Sequence, residues 1–143
     1  MVSTWADFQA AQRTALAALV AGDPRPFQQL WDHAPDVSLL GAFGGVARDW
    51  DEVRDRLAAV AVTYGNGVYR RLDQLDEHVH GDTAWTVHVE EIHSRSATGE
   101  PEVRERRVTK VYRLRPGGWR IVHMHSDPLV TTAFPDDGVA TAG

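Results

Sequence analysis

The stretch VHMHSD near the end of the chain places His123, His125 and Asp127 at every second position. In a β-strand, residues two apart lie on the same face, so a strand here would align all three side chains. Two imidazoles on one face bind a divalent metal when a third ligand converges, and the same groups can exchange protons or fill a polar interface. The spacing leaves these three roles open.

A metal site is the least favoured of these roles. The pair His78 and His80 repeats the His-x-His spacing, but no His-Glu-x-x-His motif occurs and nothing marks a carboxylate ligand. The chain has no cysteine, which excludes disulfides, thiol catalysis and thiolate ligation. We therefore predict no metal and no other cofactor, and we expect the strand histidines to occupy half-buried, hydrogen-bonding positions at an interface.

An acid–base site needs a carboxylate or histidine beside an apolar wall, because burial moves a pKa toward neutrality. In the segment 83–94, Trp85, Val87 and Val89 alternate along one face, and Glu91 continues that face. Glu91 is therefore either a pocket acid or base, or a solvated strand end. If the protein is an enzyme, Glu91 is the predicted general acid/base.

The following segment, RERRVTKVYR, supplies a partner for this carboxylate. If Arg107 faces inward, it can pair with Glu91 and orient it or stabilise an oxyanion, while Thr109 hydrogen-bonds a substrate oxygen. Asp127 is the alternative carboxylate if the last strand presents its other face. A close Arg107 would lower the Glu91 pKa, and an apolar wall would raise it.

Three helices and a run of strands must position these residues. Apolar residues at helical spacing predict a helix over residues 4–21, where Thr4 and Asp7 resemble a capping box. A short second helix follows directly in DPRPFQQLWD, and a third is predicted over residues 49–65, ending at glycine. A short apolar strand closed by glycines, residues 36–45, separates the second helix from the third.

The second half of the chain reads as strands. These segments are rich in β-branched and aromatic residues and cover residues 68–80, 83–94, 102–114 and 119–127. Their connections are short, so the strands should pair as an antiparallel meander, and helices followed by strands define an α+β fold. We predict one domain over residues 1–128 and a C-terminal tail over residues 129–143.

The amino-acid composition argues against nucleic-acid and membrane partners. The chain has 143 residues and a net charge of −5, and no basic cluster favours nucleic acid. No apolar run approaches the roughly 18 residues of a membrane span, and no signal-peptide pattern is seen, so we expect a cytoplasmic protein without a membrane partner. Lys110 is the only lysine among 15 basic residues, which we interpret as the codon bias of a GC-rich genome.

The order of these elements and the run RRVTKVYRLRPGGWRIVHMHSD resemble the nuclear transport factor 2-like superfamily, and within it the SnoaL-like group. The run is also similar to the association domain of calcium/calmodulin-dependent protein kinase type II. The resemblance implies a cone: a curved, mostly antiparallel sheet wrapped around three N-terminal helices, with an internal pocket. The superfamily hosts isomerases, cyclases, dehydratases, hydrolases and non-catalytic proteins, so it does not decide the activity.

The resemblance also implies where ligand and partner would bind. The kinase domain's pocket arginine falls on Arg107, but its other basic positions fall on Glu91 and Ser126, so binding of an anionic ligand is not carried over. The expected pocket wall consists of Trp31, Phe43, Val53, Leu57, Tyr64, Trp85, Val89, Thr109 and Met124. The expected homodimer contact on the outer sheet face consists of His88, Tyr112, Trp119, His123 and His125.

The facing of the last strand depends on a turn that the sequence does not determine. We favour Val122, Met124 and Ser126 inward, with Trp119, Ile121, His123 and His125 outward; a one-residue bulge would reverse this arrangement.

Two functions are compatible with these residues. One is an acid–base enzyme, such as an isomerase, cyclase, dehydratase or hydrolase, that acts on a small, largely apolar, carbonyl-bearing molecule. The other is a non-catalytic module that binds a small ligand or a second copy of itself. The deciding feature is whether a titratable side chain with a shifted pKa lies deep in the cone.

Overall fold

The structure is a computed structural model that describes residues 4–130. Its three helices are α1 (Trp5–Val20), α2 (Arg25–Gln29) and α3 (Asp49–Tyr64). Its six strands are β1 (Ser38–Leu40), β2 (Ala47–Arg48), β3 (Val68–His80), β4 (Thr83–Arg95), β5 (Pro101–Arg115) and β6 (Gly118–Pro128). No helix in the described part of the chain is long and apolar enough to span a bilayer.

The helix ends follow the capping signals in the sequence. The Thr4 hydroxyl accepts a hydrogen bond from the Asp7 backbone N–H at 3.0 Å, as the predicted cap requires. At the start of α3, the Asp49 carboxylate accepts from the Glu52 N–H at 3.1 Å. Gly65 ends that helix with a φ of +66°, a conformation that favours glycine. These local hydrogen bonds explain why the helix bounds could be predicted closely.

The strands form one curved sheet in the order β2-β1-β6-β5-β4-β3. The predicted antiparallel meander of β3 to β6 is confirmed, and β2 also pairs antiparallel with β1. In contrast, β1 pairs parallel with β6, so the sheet is mixed. The whole meander separates these two strands in sequence, so no tight turn forces them to run in opposite directions.

A bulge at Val122 decides which side chains of β6 face the helices. Tyr112 pairs with Ile121 and Val111 pairs with His123, which leaves Val122 as the extra residue. Met124 and Ser126 then face inward as predicted, and His123 and His125 lie on the outer face. The predicted outward facing of Trp119 and Ile121 is wrong, because the bulge places both in the buried interior.

The helices pack against the inner face of the sheet through large aromatic side chains. Phe8 of α1 contacts the Tyr112 ring edge-on, with a centroid distance of 5.7 Å. Trp5 makes similar edge-on contacts with Tyr112 and with Trp119, at 5.0 and 5.1 Å. Trp31 is almost completely buried in the same cluster. Such edge-to-face pairs stabilise a core beyond the area that they bury.

The predicted C-terminal tail falls mostly on residues 131–143, which lie outside the described residues. The backbone N–H of Leu129 still donates to the Glu105 carbonyl at 2.9 Å, so the chain continues alongside β5 at least to that residue. The domain boundary after residue 128 stays a prediction.

We expect Ile121→Ala to lower the free energy of unfolding by about 2–5 kcal/mol, because Ile121 is fully buried and its truncation leaves a cavity. The matched variant Leu75→Ala removes a side chain that is 64% exposed and should change stability by less than about 0.5 kcal/mol. Urea denaturation followed by tryptophan fluorescence measures both. Equal losses would contradict the inward facing of Ile121.

Candidate active site

The inner face of β4 carries polar side chains where an apolar row was expected. Thr86, His88 and Glu90 alternate along this strand and are all buried against the helices. Trp85 and Val89 lie on the outer face and are only half-buried. The predicted facing of β4 is therefore wrong, because the alternation was oriented by hydrophobicity, while the interior polar residues are stabilised by hydrogen bonds to distant parts of the chain.

Glu91 consequently lies on the outer face, away from the interior. Its Oε2 forms a hydrogen bond with His93 Nε2 at 2.8 Å, and Arg71 Nη1 lies 3.8 Å from Oε1. The hydrogen bond from His93 holds the pKa of this carboxyl below its usual value, helped by the charge of Arg71. The interior contains two cavities, described below, and Glu91 lines neither of them. Glu91 therefore does not occupy the pocket position for which it was predicted to be the general acid/base.

Arg107 and Asp127 also lie on the outer face, where they pair with each other. The Arg107 Nε and Nη2 donate to the two Asp127 oxygens at 2.8 and 2.6 Å. Arg107 stands opposite Val89 and Glu91 opposite Glu105, so the expected Glu91–Arg107 pair does not form. Both partners of the pair are largely exposed, which limits its contribution to stability.

The interior instead holds Glu90 in a hydrogen-bonded cluster. The Tyr69 hydroxyl donates to Glu90 Oε1 at 2.6 Å, and His88 Nε2 lies 2.9 Å from the same oxygen. The Glu90 side chain is nearly inaccessible to solvent. A buried carboxylate is costly unless it is paired and hydrogen-bonded, and these two donors meet that requirement.

The charges of this cluster are set by burial and by the hydrogen bonds that oppose it. For Glu90, burial alone would raise the pKa, but the hydrogen bond and charge of His88, with Lys110 and Tyr69, hold it below its ordinary value. Burial lowers the pKa of His88, and its hydrogen bond to Glu90 only partly opposes this. At neutral pH, Glu90 is therefore ionised and His88 is neutral, so Nε2 carries the proton and donates to Glu90.

Lys110 lies at the centre of a second group of interior hydrogen bonds. Its Nζ donates to Gln12 Oε1 at 2.7 Å, and the Tyr112 hydroxyl donates to the same oxygen at 3.3 Å. The Thr86 and Tyr112 hydroxyls lie 2.9 Å apart. Burial lowers the pKa of Lys110 to about 8, and the charge of Glu90 offsets part of that shift. Lys110 forms no ion pair with a carboxylate of residues 4–130.

These side chains surround a cavity of about 260 Å³, which we call the polar cavity. It lies between α1 and strands β3, β4 and β5, and its wall consists of Gln9, Gln12, Arg13, Leu16, Leu72, Gln74, Glu77, Thr86, His88, Lys110 and Tyr112. His88 and Lys110 thus face one space from neighbouring strands. A ligand in this cavity would meet a neutral imidazole and a buried amine together.

A smaller space of about 50 Å³, the apolar chamber, lies between α1, α3 and the sheet. Its wall is mainly apolar and includes Leu57, Tyr64, Met124 and Phe43, with Glu90 at one side. Arg106 also lines this chamber; it is only 6% exposed and its Nε has no hydrogen-bond partner among the described residues. The apolar chamber could therefore accept a group that receives one hydrogen bond.

Four of the predicted pocket residues line the apolar chamber: Phe43, Leu57, Tyr64 and Met124. Two others, Trp31 and Val53, are buried core residues, while Trp85, Val89 and Thr109 lie on the outer face. The core residues were misplaced because a buried apolar side chain has the same sequence pattern whether it lines a cavity or fills the core. The outer-face residues were misplaced because β4 and β5 face the opposite way.

Three residues predicted at a dimer contact are also interior. His88 and Tyr112 line the polar cavity, and Trp119 packs in the core, so none of them is available to a partner. His123 and His125 do lie on the outer face, where His123 Nδ1 is 2.8 Å from the Ser38 hydroxyl. Partial burial lowers the pKa of His123. The dimer itself stays a prediction.

The histidine pairs are not gathered into a metal centre in the described region. Residues 4–130 contain no group of three or more histidine, aspartate or glutamate side chains arranged to hold a metal ion. His78 instead pairs with Asp76 at 2.7 Å and stacks on Trp85 at a centroid distance of 4.2 Å.

The interior residues that the sequence did not reveal are Gln12, Tyr69, His88, Glu90 and Lys110. Two signals pointed to them. Polar residues recur at every second position of β4, and the single lysine shares a strand face with Val108 and Tyr112 in a chain that otherwise uses arginine. Neither signal is decisive, because the hydrogen bond that holds Lys110 comes from Gln12, which is 98 residues away in the sequence.

Comparisons with known proteins agree with this architecture. The SnoaL-like domain family matches residues 9–131, so the chain belongs to the SnoaL-like family. The resemblance inferred from the sequence is confirmed. Among proteins with curated descriptions, none matches this chain.

Solved structures share the fold at low identity. A putative calcium/calmodulin-dependent protein kinase II association domain from Xanthomonas campestris is 27% identical, with a TM-score of 0.66 and coverage of 91% of each chain. A putative dehydratase of the NTF2-like family from Streptomyces avermitilis is 22% identical, with a TM-score of 0.73 and coverage of 88% of this chain and 97% of that one. A ketosteroid isomerase-like protein from Erwinia carotovora atroseptica is 17% identical, with a TM-score of 0.71 and coverage of 87% and 95%.

We expect Lys110→Met to stabilise the protein at pH 7 by up to about 3 kcal/mol. The unfolded chain binds the lysine proton more tightly than the folded protein, with a pKa of 10.5 against about 8. This penalty is fully present below about pH 8 and disappears as the pH rises through 10.5. Urea denaturation at pH 7 and pH 10 measures it.

The wild type should gain stability relative to Lys110→Met between these two pH values. A difference between the two proteins that does not change with pH would contradict the lowered pKa of Lys110. The exposed-site variant Arg113→Met provides the control for loss of one positive charge.

Proposed function

We propose that this protein binds a small carbonyl-bearing molecule in the polar cavity and catalyses proton transfer on it, with His88 as the base. The observation that carries this proposal is the burial of His88 and Lys110 at one cavity, with the buried carboxylate of Glu90 hydrogen-bonded to His88. Buried ionisable groups cost stability, and they are commonly found where catalysis or binding needs shifted pKa values.

Burial keeps His88 neutral, and Glu90 selects the tautomer that a base requires. The ionised carboxylate accepts a hydrogen bond from Nε2–H, which leaves Nδ1 as the unprotonated ring nitrogen. Nδ1 forms no hydrogen bond with any residue of the described segment, and His88 lines the polar cavity. Nδ1 can therefore accept a proton from a bound molecule, while Glu90 stabilises the resulting imidazolium. Glu90 acts here as a positioning residue, because it reaches the ligand only through His88.

Side chains on the same wall of the polar cavity as His88 supply donors for a ligand oxygen. Lys110, Thr86 and Tyr112 form one connected group of hydrogen bonds next to His88. A carbonyl oxygen held by such donors carries negative charge more easily when a proton is removed from the adjacent carbon. The volume, about 260 Å³, lies just below the roughly 300–1,000 Å³ typical of ligand pockets, which favours a small molecule.

The solved structures named as a putative dehydratase and as ketosteroid isomerase-like support the class of reaction by analogy alone, because they share the fold at 22% and 17% identity. The alternative is a non-catalytic ligand-binding module. Such a module would need the cavity but no proton acceptor, so the two functions differ in their dependence on His88.

We also propose that two copies associate through the outer sheet face. The half-buried apolar side chains of Trp85, Val87 and Val89 on β4, next to His123 and His125, support this contact. A cytoplasmic location is part of the same proposal. Light scattering at micromolar concentration tests the association, and a monomer would contradict it.

We expect His88→Gln to slow base-catalysed exchange of a carbonyl probe by roughly 10²–10⁴-fold, the usual contribution of a general base. Glutamine keeps a donor for Glu90 but cannot accept the proton. The measurement follows deuterium uptake at the α-carbon of cyclohexanone in D₂O by proton NMR. Because burial lowers the His88 pKa, the wild-type rate should fall only below pH 6.5.

The matched control is His80→Gln, which removes an exposed histidine at the end of β3 and should leave the rate unchanged. If cyclohexanone binds to the wild type but exchanges no faster than in buffer, the protein is the non-catalytic module. If His88→Gln and His80→Gln slow exchange equally, His88 is not the base.

A further inference from the structure

We propose that Lys110 is a nucleophile that forms an imine with an aldehyde or ketone bound in the polar cavity. This inference rests on the proposed function, since it names the substrate class of the same cavity, but it assigns a covalent step that proton transfer by His88 does not require.

The first support is the identity of the residue. The chain has 15 basic residues, and 14 of them are arginine. Among the lysine and arginine side chains of residues 4–130, Lys110 and Arg13 line the polar cavity; Lys110 is 1% exposed, whereas Arg13 is exposed. A guanidinium stays protonated and does not add to carbonyls, whereas a primary amine does. Codon bias explains the arginines but not why lysine is kept at this position.

The second support is the environment of the amine. Nζ donates one hydrogen bond, to Gln12, and forms no ion pair with a carboxylate of residues 4–130; the charge of Glu90 favours its protonated form only from a longer distance. Burial lowers its pKa to about 8, so at neutral pH the neutral, nucleophilic fraction is roughly 300-fold larger than for an exposed lysine. Buried lysines with lowered pKa values are the ones that form Schiff bases in enzymes.

The third support is the set of proton-transfer groups around the amine. The nitrogen lone pair attacks the carbonyl carbon, a C–N bond forms and the carbonyl oxygen takes up a proton, giving a carbinolamine. That oxygen then leaves as water while the nitrogen loses its protons, so amine and carbonyl yield imine and one water. His88 can accept and return protons, and the Tyr112 and Thr86 hydroxyls can hydrogen-bond the oxygen.

An imine would also favour the proton transfer proposed for His88. When protonated, it draws electrons from the adjacent C–H bond more strongly than a neutral carbonyl does. His88 lines the same cavity and is placed on the neighbouring strand, with Thr86 of its own strand directly opposite Lys110. The covalent step and the base therefore act on one bound molecule.

Reductive trapping tests this inference on the intact protein. The protein is incubated with cyclohexanone and sodium cyanoborohydride, and adducts are located by intact mass and peptide mapping. We expect one cyclohexyl group on Lys110, formed at pH 7 at least about tenfold faster than on the same lysine in urea-unfolded protein. Labelling confined to the N-terminal amine, or equal rates in the folded and unfolded protein, would overturn the proposal.

Two variants separate imine formation from simple accessibility. Lys110→Arg keeps the charge and should lose the adduct. The double variant Lys110→Arg, Thr109→Lys moves the lysine by one residue to the exposed outer face, where it should be labelled no faster than in urea. If Lys110→Arg does not fold, Lys110→Met with Thr109→Lys replaces it, and circular dichroism checks both. Fast labelling of the displaced lysine would overturn the proposal.

The same experiments distinguish failure of this inference from failure of the proposed function. If no adduct forms but His88→Gln still slows cyclohexanone exchange, the imine is wrong and the base is correct. If the adduct forms and His88→Gln has no effect on exchange, imine formation is supported and His88 is not the base.

Discussion

The buried carboxylate of Glu90 is the constraint to which the rest of the interior is adapted. It lies on the inner face of β4, where isolation of a charge would cost several kcal/mol. Tyr69 from β3 and His88 from β4 satisfy its oxygen, and the Lys110 charge from β5 lowers its pKa further. The hydrogen bond from Tyr69 favours one register of β3 on β4, since a one-residue slip would remove that donor from the carboxylate.

The two faces of the sheet use charge differently. On the outer face, Arg107 and Asp127 pair in contact with solvent, where an ion pair contributes little to stability. On the inner face, Glu90 and Lys110 are almost inaccessible, and each hydrogen bond matters because an unpaired partner would be buried. The lowered pKa of Lys110 predicts a cost to stability at neutral pH, which is typical of residues retained for a functional site.

The elements of the fold could be predicted because their signals are local. The Thr4 cap, the glycine that ends α3 and the short connections of the meander each depend on residues within a few positions of one another. These signals, with the run that ends in HMHSD, were also sufficient to place the chain in its family. The parallel pairing of β1 with β6 was not predicted, because it joins segments separated by the whole meander.

By itself, the sequence determined which residues share a face of each strand, but it did not determine which face points inward. Glu91 and Arg107 were paired in the prediction; their immediate neighbours Glu90 and Arg106 are the residues that stand opposite each other in the interior. Alternation with a period of two does not show which face of a strand is buried. For β4 we chose the more hydrophobic face, and the structure buries the other one. Only the tertiary structure brought Gln12 beside Lys110, and that long-range hydrogen bonding is the physical reason why polar side chains could occupy the inner face.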